Sequence, residues 1–304
     1  MFKFKEYLSD LLPDISEIKK ITAEASVRRF YRLYYKNKTL IAMFYPDNCK
    51  IEIERFINFN TIYKQAGLNV PDILDVLDDR VIIVQDLGDL LLQKRLRICN
   101  KNEFGNVLKQ IKEIIETLQA IGIGKTDSLL DFNRMDFEMN FFLDNFYKNY
   151  QVYCRYFSES DIKNELNIII EKVSLTNVFS HRDFHTRNII FFENKLFLVD
   201  FQDSLRANRY YDHVSFIFDS YFDFDDYRNF YLDIIKDNEF ETDMFYLTAL
   251  ERNIKALGTF GYQVFERDNK KYSKYIKRTL RNIINNPYIS TLLKTYFINI
   301  YENI

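Results

Sequence analysis

From Gly88 onward the apolar residues of this 304-residue chain recur at helical spacing, whereas before it they come in short β-branched and aromatic runs. The change of period predicts an α+β chain in two parts, a small antiparallel lobe over residues 1–87 and a larger, mainly helical lobe over 88–304. Its length, beyond that of most single cores, points the same way. In the first lobe SVRRFYRLYYKNKTLIAMFY, residues 26–45, is broken by Lys36-Asn37-Lys38 and reads as a hairpin. IEIERFINFNTIYKQA, residues 51–66, has helical spacing and ends at Gly67, where a helix terminus favours a left-handed residue. ILDVL and VIIVQDL flank Asp78-Asp79 as a second strand pair, and the stretch before residue 26 reads only as a short amphipathic start. Helices are expected near 103–121, 134–150, 159–172, 226–236, 243–268, 271–285 and 289–302. Strand-like VFS, NIIFF and LFLVD interrupt them, with Glu193-Asn194-Lys195 as the turn between the last two.

Composition removes several function classes. Lys and Arg number 42 against 44 Asp and Glu, so the basic excess behind non-specific nucleic-acid binding is missing. Cys49, Cys99 and Cys154 are far apart and in no C-x-x-C pair, which suits reduced thiols rather than a disulfide framework or zinc knuckle. No apolar run reaches membrane-span length, and MFKFKEYLSDLLPD has no apolar signal core. A cytoplasmic monomer with no membrane or nucleic-acid partner is expected.

The chemistry-bearing stretch is SHRDFHTRNIIFFENKLFLVDFQD, residues 180–203. It orders His181-x-Asp183-x4-Asn188 and then Asp200 beyond a hairpin. Phosphoryl transfer needs these types: an Asp to orient and deprotonate the acceptor hydroxyl, an Asn five positions on to bind Mg²⁺, and a second Asp to bridge Mg²⁺ and the phosphates. The spacing alone is a weak pattern; a hairpin that delivers an Asp at its far end gives it weight. A metal-hydrolase reading from His181 and His185 lacks the H-E-x-x-H glutamate and has only His213 as a third histidine. Ser180 lies in no G-x-S-x-G elbow. Single Asp and Asn residues also cap turns, and for His181 the plainer alternative to acting on the substrate is holding the loop by hydrogen bonds.

At these residues the sequence resembles the aminoglycoside phosphotransferase-like kinases, a small-molecule branch of the protein-kinase-like fold. It is most similar to the bacterial anomeric kinases for N-acetylmuramate and N-acetylglucosamine. AEASVRRFYRL (23–33), AGLNVPDIL (66–74), VQDLGD (84–89), HRDFHTRNII (181–190), VDFQDS (199–204), YDHVSF (211–216) and ERNIKALGTF (251–260) carry the resemblance. It implies a two-lobed kinase that binds ATP and Mg²⁺ in an interlobe cleft and phosphorylates a small-molecule sugar. Asp183 is then the catalytic base, and Asn188 and Asp200 the Mg²⁺ ligands. Gln85, Asp86 and Leu87 form the backbone hinge for adenine, and Ser26, Arg28 and Arg29 the cover over the phosphates.

There are departures. Protein kinases carry a glycine-rich loop, V-A-I-K and D-F-G, whereas this chain has seven glycines in all, Met43 near the lysine's place, and Asp200-Phe201-Gln202. Arg28, Arg29 or Arg32 is expected to replace the lysine, and Ala207-Asn208 stands where the family has a Gly-Pro turn. On the acceptor side Asp203 is expected to touch the sugar. Arg252 and Lys255, three apart on one helix face, are candidates for an anionic acceptor; the plainer alternative is a Glu251–Lys255 surface pair. Asp212 can cap a helix starting near His213. The acidic run FDSYFDFDD, residues 218–226, keeps a cationic aminoglycoside in play beside choline or a homoserine-like alcohol. A non-catalytic ATP-binding protein is the other alternative.

Overall fold

The computed structural model describes Leu8 and residues 13–21, 28–46, 49–77 and 80–304. Ser26 and the Asp78-Asp79 turn lie outside these residues. The chain forms two compact units, residues 1–92 with 188–202 and residues 93–187 with 203–304. This differs from a single cut at 87/88, because the segment with Asn188 and Asp200 packs with the strands.

The first unit is a five-stranded antiparallel sheet, β1 (Ile15–Ile21), β2 (Arg29–Tyr35), β3 (Lys38–Phe44), β4 (Ile73–Leu77) and β5 (Val81–Gln85), in the order β1-β2-β3-β5-β4. Lys36 and Asn37 turn β2 into β3 with φ of 43° and 62°, the left-handed pair a tight hairpin turn needs. The strand β1 is absent from the reading of the sequence. Its apolar residues Ile15, Ile18 and Ile21 are three apart, which imitates a helix, but a bulge between Ile15 and Glu17 shifts the register and brings Ile18 into the core. Tyr31, Leu33, Ala42, Val81 and Ile83 complete that core with Leu8.

The helix α1 (Lys50–Gln65) belongs to this unit and ends at Gly67 with φ of 82°. The hairpin β7 (Ile189–Phe192) and β8 (Lys195–Leu198) joins it through main-chain hydrogen bonds from Leu198 to Asn69 and from Phe191 to Leu90. Phe201, fully buried just beyond β8, stacks on Phe56 of α1 at 5.0 Å and lies 5.1 Å from Tyr63. Burying a Phe this way contributes roughly 1.5–3 kcal/mol.

The second unit is helical: α2 (Lys101–Ala120), α3 (Phe132–Phe142), α4 (Glu159–Val173), α5 (Tyr211–Ile217), α6 (Arg228–Ile235), α7 (Thr242–Gly261), α8 (Ser273–Ile284) and α9 (Thr291–Asn303). A two-stranded ladder pairs β6 (Val178–Ser180) with β9 (Leu205–Ala207). Asn100 and Glu103 cap α2 reciprocally, while Asp131 and Ser158 cap α3 and α4. The expected helices at 134–150 and 243–268 are each α-helical at first and then widen into π turns, Leu143–Tyr147 and Tyr262–Glu266. No helix among the described residues is long and apolar enough to cross a membrane.

Helix α7 runs through the middle of this unit, and two glycines allow its close approach. A Cβ on Gly258 would lie 2.9 Å from Phe142 Cα, and one on Gly261 would lie 2.3 Å from Asn145 O. Glu251 is also on α7 and fully buried, which removes the surface pair with Lys255. Neither of its carboxyl oxygens has a hydrogen-bond partner among the described residues. Burial, with Glu138 nearby, pushes its pKa up to about 8 against the cations around it.

Two expectations follow. Gly261→Ala should destabilise the protein by about 1–3 kcal/mol or more in urea unfolding, because the obstacle is backbone; an unchanged midpoint would contradict the packing. Glu251 binds its proton more tightly folded than unfolded. Its contribution to stability is therefore fully present below about 4.5 and is lost as pH rises through about 8, by at most about 1.4 kcal/mol per pH unit. Glu251→Gln should flatten that decline in melting curves taken from pH 5 to 9.

Candidate functional site

The turn after β6 carries Asp183, and buried carboxylates hold it from two sides. Asp212, in the first turn of α5, accepts from Ser180 Oγ at 2.9 Å and from the backbone N–H groups of His181 at 2.8 Å and Arg182 at 3.1 Å. Asp212 thus organises the loop rather than capping its helix. Burial raises its pKa, against the pull of His181 and of these hydrogen bonds. Asp219 does the same further on, accepting from Thr186 N at 3.0 Å and Thr186 Oγ1 at 2.6 Å. Between these anchors Arg182 takes φ of 75°, a conformation that costs a non-glycine residue energy and needs such support.

The histidines have separate settings. His181 meets the Phe184 ring edge-on, His185 meets Tyr221, and His213 Nδ1 lies 2.8 Å from Tyr231 Oη, where burial lowers its pKa to about 3. Among the described residues no three His, Cys, Asp or Glu side chains form a metal-binding group.

Asp183 faces a ring of cations. Arg252 Nη2 lies 3.8 Å and Lys255 Nζ 3.9 Å from its carboxylate, while about a third of the Asp183 side chain, 34%, stays open. Burial alone would raise the Asp183 pKa, but Lys255, Arg182 and Arg252 outweigh it and hold the group well below the usual carboxylate range. Arg252 also donates to Ser215 Oγ, and Lys255 to Tyr211 Oη. Glu138 of α3 is a member of the cluster that sequence reasoning missed. Its Oε1 takes Arg182 at 2.9 Å and Lys255 at 3.5 Å. A cavity of about 780 Å³ opens beside it, lined by Arg134, Glu138, Phe137, Arg182 and Lys255 among others.

Three of the four aspartates in the acidic run are engaged within the fold, and the fourth, Asp226, is exposed. Asp219 anchors Thr186, Asp223 pairs with Arg281 at 2.8 Å, and Asp225 pairs with Arg228 at 2.9 Å.

In the first unit Asp200 ends the β7–β8 hairpin with φ of 65°. Its Oδ1 receives Arg28 Nη2 at 2.6 Å and Gln202 Nε2 at 3.0 Å. Burial opposes the Arg28 charge, yet the Asp200 carboxylate outweighs it and raises the Arg28 pKa. Asn188 begins the same hairpin and accepts from Val199 N at 3.0 Å. An amide and a carboxylate are hard oxygen donors, a set that fits Mg²⁺, which keeps waters and phosphates as its other ligands.

Met43 is buried in β3 between Phe30 and Ile82, so no lysine-like charge comes from that strand position. Arg32 does not replace it. Its guanidinium is forked between Asp86, at 2.6 and 3.0 Å, and Asp89, at 2.8 and 2.9 Å, which braces the 85–89 segment. The Asp86 side chain is thereby committed, also accepting from Gly88 N at 2.9 Å. Gln85 N donates to Asp72 O, Leu87 is buried, and Arg29 is exposed at the start of β2.

The structure thus gathers Asp183, Arg252 and Lys255 in one unit, and Arg28, Asn188 and Asp200 in the other. Glu138 and Arg134 gave no signal in sequence, because a charged residue on an amphipathic helix ordinarily faces water.

Comparisons with known proteins bear on this arrangement. A family model described as a phosphotransferase enzyme family matches residues 17–247. The chain is 23% identical over 304 residues to an N-acetylmuramate/N-acetylglucosamine kinase of Neisseria meningitidis serogroup B, covering 91% of this chain and 88% of that protein. Among solved structures it is similar in fold to ADP-bound aminoglycoside phosphotransferase APH(2'')-Ib, with a TM-score of 0.57 at 14% identity over 99% and 96% of the two chains. Choline kinase LicA from Streptococcus pneumoniae gives 0.59 at 13% identity over 93% and 98%. The fold is accordingly kinase-like, α+β, with a strand-built and a helical part. Running from Glu17 in β1 to Leu247 in α7, the family match takes in both the Arg28–Asp200 pair and the Asp183 loop; the chain belongs to the phosphotransferase enzyme family, kinases that phosphorylate an alcohol group of a small molecule.

Proposed function

We propose that this kinase transfers the terminal phosphoryl group of ATP to the C1 hydroxyl of N-acetylmuramate, N-acetylglucosamine or both. The observation that carries the reading is Asp183, an ionised and partly open carboxylate on a turn held by buried hydrogen bonds. The similarity to the Neisseria kinase along most of both chains supports the sugar.

The roles follow from the groups. Asp183 accepts the hydrogen bond of the sugar hydroxyl and fixes its direction of attack. A carboxylate held this far below the usual range is a weak base. That suits a loose phosphoryl transfer, in which the hydroxyl gives up its proton late and orientation does most of the work. Arg252 and Lys255 keep Asp183 charged and in place, and Asp203 and the cavity beside Glu138 receive the rest of the acceptor. Asn188 and Asp200 would hold Mg²⁺, which when bound neutralises phosphate charge. Arg28, with Arg29, supplies the phosphate-side cation that Met43 does not, the loop from Ser26 covers the phosphates, and the backbone of residues 85–87 receives the adenine. The ADP-bound neighbour supports nucleotide binding in this fold. A choline or aminoglycoside acceptor is the weaker reading, because both are cations and three of the four aspartates in the acidic run that would greet them are engaged within the fold.

Two experiments test this. Incubated with ATP and Mg²⁺ and an acceptor panel, the protein should yield a sugar 1-phosphate by phosphorus NMR; phosphate on C6 only, or on no sugar, defeats the substrate claim. Asp183→Asn should lower turnover by about 10²–10⁴-fold while nucleotide affinity, measured by calorimetry, changes little. Near wild-type turnover would remove Asp183 from its role.

A further inference from the structure

The cavity in the helical unit is lined by three cations, Arg134, Arg182 and Lys255, and three carboxylates, Asp127, Asp131 and Glu138, yet one of the cations is left unpaired. Two of its cations are engaged: Arg182 and Lys255 both lie on Glu138 Oε1, and Lys255 reaches Asp183 as well. Arg134 also lines it, and its guanidinium makes no hydrogen bond or ion pair among the described residues.

Three effects oppose the Arg134 charge. Its side chain is half-buried, it lies near Arg182, and it stands three residues past the Asp131 cap of α3, at the positive end of that helix. Burial first and Arg182 second lower its pKa, with only partial relief from Glu138 and Asp203. A guanidinium cannot shed its proton near neutral pH, so the penalty stays until an anion arrives. Asp131 does not serve, since its Oδ1 accepts from the Arg134 backbone N–H.

Two further groups on the same walls lack partners. Glu138 is 7% exposed, and its Oε2 is a buried acceptor with no donor; Arg182 Nε is a buried donor with no acceptor. Leaving such atoms unpaired is costly, and a ligand carrying both hydroxyl donors and anionic oxygens would pair them. The volume of about 780 Å³ admits a substituted monosaccharide.

We propose that Arg134 binds a carboxylate on the acceptor while Glu138 accepts from one of its hydroxyls, so that the enzyme selects sugar acids over neutral sugars. The inference rests on the acceptor site assigned above and deepens it. N-acetylmuramate bears an acid group where N-acetylglucosamine has a hydroxyl, and the pair isolates the contact.

Calorimetric binding and kcat/KM for the two sugars, in the whole protein and in Arg134→Gln, test it. The wild type should bind N-acetylmuramate about ten-fold or more tightly than N-acetylglucosamine. Arg134→Gln should erase that preference and leave the neutral sugar's dissociation constant unchanged. Its melting temperature should hold or rise, because an uncompensated cation has been removed; a merely structural arginine would lower it. The inference is overturned if the wild type shows no preference or binds neither sugar, or if the variant keeps the preference or weakens both sugars alike. Arg134-dependent binding without phosphate transfer would sink the kinase reading and leave the carboxylate site. Transfer to both sugars with no Arg134 effect would do the reverse.

Discussion

Asp212 uses both oxygens of one buried carboxylate on the Ser180 hydroxyl and the backbone N–H groups of His181 and Arg182. The turn it holds includes a non-glycine residue at positive φ, and without this carboxylate the buried His181 N–H would lose its acceptor while that of Arg182 would keep only Ser180 Oγ. The position of Asp183, and of the cations assembled around it, depends on this anchor. Asp219 repeats the arrangement at Thr186, so a pair of acidic residues from one segment, 212–219, fixes both ends of the loop.

Charge is then distributed so that each catalytic candidate has a partner of opposite sign. Asp183 is kept ionised by Lys255, Arg182 and Arg252, and Glu138 moderates the repulsion among those cations. In the strand-built unit the buried Met43 removes the usual strand cation, and Arg28, reaching in from just before β2, sits on Asp200 instead. Arg32, four residues further along the chain, braces Asp86 and Asp89. Placing the cation beside β2 rather than in β3 keeps a positive group at the Asp200 carboxylate while β3 stays apolar at Met43.

Legibility varied with the range of the physics involved. The β2–β3 hairpin, α1 with its Gly67 terminus and the helices of the second unit were readable because turn chemistry and amphipathic period are local. The strand β1 was not, since its bulge breaks the period of two between Ile15 and Ile18 and leaves its isoleucines at a helix-like spacing. The helices ending in π turns were read as continuous, because one extra residue per turn leaves the apolar stripe nearly intact.

The amino-acid sequence by itself determined the order Asp183, Asn188, Asp200 and the hairpin between the last two, because these are set by spacing within one short segment. It did not determine which arginine stands beside Asp200, nor that Glu138 and Arg134 of α3, Asp212 of α5 and the Arg252–Lys255 face of α7 meet around the loop. Those residues lie tens of positions away along the chain, and each alone reads as an ordinary surface charge or cap. Only the packing of α7 against α3 and the π turn that follows it, permitted by Gly258 and Gly261, turns their charged faces inward. Burial then gives them their energetic weight, because in a poorly solvated interior an unpaired charge is costly and its partners must come from the fold.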